Sequence, residues 1–249
     1  MFRLLATSLA VVVALAAGSA TAAGPEIEYA YPEQSVWTTA VDAQGRPANP
    51  LLRLAKVIFA EAGLPWHGAP YPAARMFSAL RDGPANFSML VKAPALDACC
   101  LVSRAPVAGT ELRAYWVGDT PPAARRGDLA GHSLILVHGY SYGQWAGFLA
   151  DPANRIDASR VHKHQAAFAM LAERRGDYVL DYAGPAEEVL AERPIPGIRY
   201  AVLDRLDVHL VLTRSTPDAA DLMARLEAIA ARLDREAIIK GPPGGLVTR

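Results

Sequence analysis

Leu134-Ile-Leu-Val-His-Gly-Tyr-Ser-Tyr-Gly-Gln-Trp145 decides how the chain is read. The apolar run Leu134 to Val137 is too short for an independent helix and predicts a buried strand. Gly139 and Gly143 bracket two tyrosines and a serine, and a helical pattern follows. Strand, glycine turn and helix in that order aim backbone N–H groups at whatever lies beyond the strand end. Two chemistries use such a turn. Gly139-Tyr140-Ser141-Tyr142-Gly143 fits G-x-S-x-G, which presents a serine nucleophile in hydrolases. The same turn can hold a polar ligand group on its amides and on the Ser141 hydroxyl.

The hydrolase reading needs an acid and then a histidine downstream, and Asp181 or Asp204 followed by His209 satisfies the order. Roughly a hundred residues after Ser141 are few for that fold, and no separate oxyanion loop stands upstream. A small secreted serine hydrolase using Ser141 is the alternative; a ligand-holding turn is the main expectation.

Upstream, Met1-Phe2-Arg3, an apolar run from Leu4 to Ala17 and the small-residue site Ala20-Thr21-Ala22 form a secretory signal peptide over 1–22. The run is too short to span a bilayer comfortably. The mature chain is expected to begin near Ala23 and to be periplasmic. With 25 basic and 25 acidic residues and no basic stripe, nothing points to nucleic acid. Cys99 and Cys100, the only cysteines, cannot staple distant segments and read as buried thiols in a strand.

The remaining pattern gives strands at Glu26–Tyr31, Trp66–Tyr71 and Phe87–Val91. Between them lie a helix opened by Asn49-Pro50 and closed by Gly63, and a helix started by Pro72 and ending at Gly83. This β-α-β-α-β order predicts a parallel sheet with helices on its faces. Leu96–Val107 and Glu111–Val117 read as extended, and Asp119–Asp128 as a surface loop. The second half repeats the pattern: a helix after Gly143, a helix over His162–Arg175 capped by Gly176, a strand at 177–182 and a short helix opened by Gly184-Pro185. Arg199–Leu203 and Val208–Thr213 read as two extended segments. A long helix from Thr216-Pro217, striped by Leu222, Leu226, Ile229 and Leu233, is stopped by Gly241-Pro242-Pro243.

Several short motifs carry a resemblance. They are Gly63-Leu64-Pro65-Trp66, Pro72-Ala-Ala-Arg75, Leu80-Arg-Asp-Gly83, Val102-Ser-Arg-Ala-Pro106, Leu129 to Tyr142, and Arg175-Gly-Asp-Tyr178. In this order the chain resembles the extracytoplasmic solute-binding proteins of the polar amino-acid type (family 3), receptors of ABC uptake systems. The resemblance implies an α/β, two-lobed periplasmic-binding-protein-like (type II) fold. Each lobe would be a mostly parallel sheet flanked by helices, with 23–113 and 208–249 forming lobe 1, 114–207 forming lobe 2, and two hinge connections between them. It implies capture of a small polar molecule (organic acid, zwitterion or amino-acid-like) in the interlobe cleft, for an ABC permease or a membrane sensor. It further implies a monomer without chemistry of its own and without a cofactor. The arginine with which amino-acid receptors hold a carboxylate has no counterpart in Leu90-Val-Lys-Ala-Pro-Ala-Leu-Asp97.

Ligands of such sheets sit beyond the carboxyl ends of the strands. Trp37, Tyr71 and Tyr140 are therefore candidate aromatic walls, and Arg75 or Lys92 a candidate anion partner. Met89, at the third strand's end, and Tyr140, Ser141 and Tyr142, in the turn, complete the mouth; Asp181 would take a cationic group. His162 and His164 lie two residues apart and point to different helix faces, so no metal site is expected.

Overall fold

The computed structural model describes residues 24–240 apart from Gln34, Arg46, Pro47 and Ser141, and without the side chains of Ala73 and Ala74. The expected leader and the Gly241-Pro242-Pro243 stop lie outside the described residues.

The first half runs β1 (Ile27–Pro32), α1 (Leu51–Ala62), β2 (Trp66–Tyr71), α2 (Ala73–Asp82) and β3 (Phe87–Val91), with β1 parallel to both β2 and β3. At the start of α1 the Asn49 side chain accepts the Leu51 N–H at 2.9 Å. At its end Gly63 takes a φ of 60°, which an L side chain adopts only at a cost. Leu54, Ile58 and Phe59 are fully buried on one face of α1. At roughly 2 kcal/mol per buried side chain, that stripe rather than intrinsic propensity holds the helix.

The chain continues through β4 (Cys100–Val102), β5 (Ala108–Trp116), β6 (Ser133–Val137), α3 (Ala146–Ala150), β7 (Asp157–Val161), α4 (His164–Ala172), β8 (Tyr178–Tyr182), α5 (Ala183–Glu192), β9 (Arg199–Thr213), α6 (Ala219–Arg232) and α7 (Arg235–Lys240). All the strands belong to one mixed sheet in the order β2-β1-β3-β9-β5-β8-β6-β7, with β4 also on β9. β6 is parallel to β7 and β8, whereas β9 runs antiparallel to β3, β4 and β5.

Two long strands carry the chain between cores. On β9, Val208, Leu210 and Leu212 join the core of Tyr29, Ile58 and Phe87, while Leu206 joins that of Leu136, Tyr142 and Leu180. On the β5 side, Val107 belongs to the first core and Leu112, Ala114 and Trp116 to the second. The β5–β9 register slips beside Leu112, a bulge at the crossing itself.

Several expectations are corrected. Arg199–Leu203 and Val208–Thr213 are one fifteen-residue strand: the intervening Asp204-Arg-Leu-Asp207 interrupts the apolar pattern because it crosses the gap between cores. Within Leu96–Val107 only Cys100–Val102 is strand, so Cys99 lies just ahead of it, half-buried, while Cys100 is buried; burial pushes the Cys100 thiol up to about 12. The helix expected over His162–Arg175 covers only His164–Ala172, and Arg174 takes the left-handed turn at its end. Gly176 serves packing, since a Cβ there would stand 2.7 Å from Ile135 Cγ1. The last helix breaks at Leu233, because the Asp234 side chain accepts the Ala237 N–H at 3.1 Å and starts α7. Among the described residues no helix is long and apolar enough to cross a membrane.

Candidate functional site

Between the two cores lies a cavity of about 80 Å³. Its walls come from the end of β3 (Met89 to Val91, then Lys92 and Ala93), from α2 (Met76, Phe77) and from the turn after β6 (Gly139, Tyr140, Gly143). Tyr182 at the end of β8, Thr110 and Val208 on the crossing strands, and Val36 and Trp37 from the loop after β1 complete it. The site thus sits where β3, β6 and β8 present their carboxyl ends.

A chain of polar contacts backs the cavity. Asp181 is fully buried, with its Oδ2 2.7 Å from His164 Nδ1 and its Oδ1 accepting the Tyr182 N–H at 2.7 Å. Burial raises the Asp181 carboxyl above its ordinary range, and the His164 bond opposes that rise. The Tyr140 hydroxyl lies 2.9 Å from His164 Nε2 and donates to the Ser35 carbonyl at 2.8 Å. Tyr140 gives its one proton to Ser35, so its oxygen is left to accept from His164 Nε2. His164 Nδ1 and Asp181 then share one proton across their 2.7 Å contact. Burial first, and then the Asp181 charge, push the Tyr140 phenol well above its ordinary 10.0, so it stays a neutral donor.

Ser35 belongs to the loop after β1, whereas Tyr140, His164 and Asp181 belong to the second core's elements, so this chain bridges the two. Two further contacts tie down the same loop. Thr39 donates its N–H and its hydroxyl to Glu188 Oε2 on α5, at 2.6 and 2.7 Å. Trp37 lays its carbonyl against Gly184 so closely that a Cβ at Gly184 would stand 2.2 Å from that oxygen. On this loop a wider hollow of about 550 Å³ is lined by Ser35, Thr38, Thr39, His162, Lys163 and His164 among others.

Of the residues expected at the mouth, Trp37, Met89, Lys92 and Tyr140 come together around the cavity. Tyr71 lies outside its lining, and its hydroxyl donates to Glu28, the first cause of a phenol raised to about 12. Arg75 is exposed on the first turn of α2, also outside the lining. Tyr142 is buried with a φ of 51°; its hydroxyl accepts the Val137 N–H at 2.7 Å and lies 3.3 Å from the Leu180 carbonyl, locking β6 to β8. Asp181 faces His164 rather than open space. Ser141 lies outside the described residues. The acid and base of the hydrolase alternative do not meet. Asp181 is held by His164, Asp204 accepts from Gln144 and Trp145, and His209 Nδ1 faces the Ser103 carbonyl at 2.9 Å. The rings of His138 and His162 lie 4.9 Å apart, and among the described residues no three His, Cys, Asp or Glu side chains cluster as metal ligands.

His164 is the residue the sequence reading missed in this role. Its pattern signal is weak: read as an i, i+2 pair with His162 it points nowhere, and its partners come from β8 and the turn after β6. Val36, Tyr182 and Thr110 were likewise unforeseen.

No family model matches the chain, and no curated protein is matched by sequence. Solved structures do match. A histidine kinase sensor domain with similarity to periplasmic binding proteins superposes with a TM-score of 0.69 at 20% identity, over 86% of this chain and 94% of that one. The fold is that of the two-lobed, type II periplasmic binding proteins. An ancestral arginine-binding protein bound to arginine gives a TM-score of 0.67 at 14% identity, over 86% and 95% of the two chains. The GluR0 ligand-binding core in complex with L-glutamate gives 0.67 at 13%, over 90% and 98%.

Proposed function

We propose that the chain is an exported solute-binding protein that captures one small molecule between its lobes and presents the closed form to a partner. The observation that carries this reading is the cavity itself: both cores and the loop joining them each supply wall residues, so a ligand there contacts both lobes at once. Such a ligand shifts the population toward closure, because the contacts exist together only when the lobes meet. A permease or a membrane sensor would read that state; the sensor-domain likeness and the amino-acid-receptor likeness support these two roles equally. We place the lobe division where the cores change over, between Val107 and Leu112 and between Leu206 and Val208. Lys92 is the cation available to an anionic group, and Trp37, Met89 and Tyr140 supply contact surface.

A thermal-shift screen of the mature protein against amino acids, organic acids, polyamines, sugars and peptides tests the reading. A saturable rise in melting temperature is expected for one class, since a ligand preferring the folded form stabilises it. No shift across the panel would count against it. Release of product from ester substrates, abolished by Ser141→Ala, would favour the hydrolase instead.

A further inference from the structure

We infer that the cleft selects a short apolar carboxylic acid, aliphatic or aromatic, that carries no ammonium group. This rests on the solute-binding reading and names the ligand class of that site. The wall is built largely from Trp37, Met76, Phe77, Met89, Val91 and Val208, which offer hydrocarbon, aromatic and thioether surface. One lining residue is charged, Lys92, and among the described residues it makes no ion pair or hydrogen bond. An ammonium placed at the rim of an apolar pocket is a point charge suited to a single carboxylate.

The other half of a zwitterion finds no opposite charge. Among the described residues none of the lining is acidic. Asp181, behind Tyr140 and Tyr182, is fully buried, with one oxygen on His164 and the other on the Tyr182 amide. The Tyr140 hydroxyl is already engaged by Ser35 and His164. An α-ammonium in this cavity would meet neutral hydroxyls such as that of Thr110 but no carboxylate to pair its charge, and buried charges are tolerated only when paired. The volume sets the size: about 80 Å³ holds roughly five to eight water-sized groups, the body of a short acid.

The test is calorimetric titration of the mature protein with matched probes: 3-methylbutanoate and benzoate, their amino-acid counterparts leucine and phenylalanine, and the neutral amide of 3-methylbutanoate. At least one acid is expected to bind saturably, with its amino-acid counterpart and the amide each roughly tenfold weaker or more. Lys92→Met should lose that binding by a similar factor while its melting temperature without ligand stays unchanged; Lys92→Arg should retain most of it. Leucine, phenylalanine, or any other amino acid binding as tightly as the acids would overturn the ligand class and leave the solute-binding reading standing. Full binding of the acid by Lys92→Met would overturn the assignment of its carboxylate to Lys92, and the inference with it. If neither acids nor amino acids bind, the inference fails, and the solute-binding reading fails with it only when polyamines, sugars and peptides give no shift either.

Discussion

Tyr140→Phe deletes one oxygen from the contact that joins the loop after β1 to the second core. The ring itself stays packed against Tyr182 and Tyr142, at 4.9 and 5.9 Å between centroids, so no cavity opens. The lost hydroxyl meets the Ser35 carbonyl at 2.8 Å and His164 Nε2 at 2.9 Å. Ser35 is 4% exposed and His164 7%, so water has little access to replace it. Two hydrogen bonds at about 0.5–1.5 kcal/mol each, with their partners left in a buried site, put the loss at about 2 kcal/mol. In a chain of this size that lowers Tm by about 4–8 °C. His164→Ala should cost more, about 3–5 kcal/mol, because it takes a buried partner from both the Asp181 carboxyl and the Tyr140 hydroxyl. The two variants should not add: once His164 is gone, Tyr140→Phe removes only the bond to Ser35. Urea denaturation of the wild type, both single variants and the double variant measures all of this. A Tyr140→Phe protein within about 0.5 kcal/mol of wild type, or strict additivity, would refute the reading of these residues as one buried bridge.

Gly184→Ala should drive Trp37 and its neighbours off α5, since the new Cβ would stand 2.2 Å from the Trp37 carbonyl. A stability loss of about 1–3 kcal/mol and increased quenching of tryptophan fluorescence by acrylamide are expected, with the added quenching absent in a Trp37→Phe background. Tyr142→Phe should cost about 1–2 kcal/mol, because the Val137 N–H loses its acceptor at the buried end of β6; hydrogen exchange at Val137 should accelerate. Burial, reinforced by the Lys92 charge, holds the His209 imidazole below its ordinary 6.5 against the pull of the Ser103 carbonyl. A histidine depressed in the folded state contributes stability that is present above 6.5 and lost as the pH falls toward the folded value, so stability should decline on acidification below that point. His209→Gln should flatten that part of a Tm-versus-pH profile.

Local signals were enough wherever one element satisfied its own needs. Phe87–Val91 and Trp66–Tyr71 are strands over the residues expected of them. Asn49-Pro50 and Gly63 bound α1 through a side-chain cap and a left-handed turn, both written in residue type. Legibility ended where distant segments cooperate. Asp204-Arg-Leu-Asp207 looks like a loop because polar side chains suit the crossing between cores, yet the backbone stays in the ladder against β5. At the site, strand ends pointed to Met89, Lys92 and Tyr140 through position alone, and the structure sets them around one cavity. The fates of Asp181 and Tyr142 depended on partners elsewhere in the chain. Asp181 is consumed by His164 from α4, and the Tyr142 hydroxyl by the main chain of β6 and β8. Neither pairing leaves a spacing pattern.

The place of β9 in the sheet has a consequence for biosynthesis. β3 pairs with β1 on one side and with β9 on the other, so the first lobe's sheet lacks an inner strand until the chain has passed Thr213. About a hundred and twenty residues separate the end of β3 from the end of β9, and at about 5–20 residues per second their synthesis takes on the order of ten seconds. For that interval the amino-terminal segment has an incomplete core and an unpaired strand edge. Export through a translocation channel, part of the proposed function, requires a chain to stay unfolded until it is threaded, and this connectivity delays the amino-terminal half without any added device. Moving β9 and α6 to the amino terminus by circular permutation would let that half close early, and faster refolding of its core from urea, followed by tryptophan fluorescence, is the expected result.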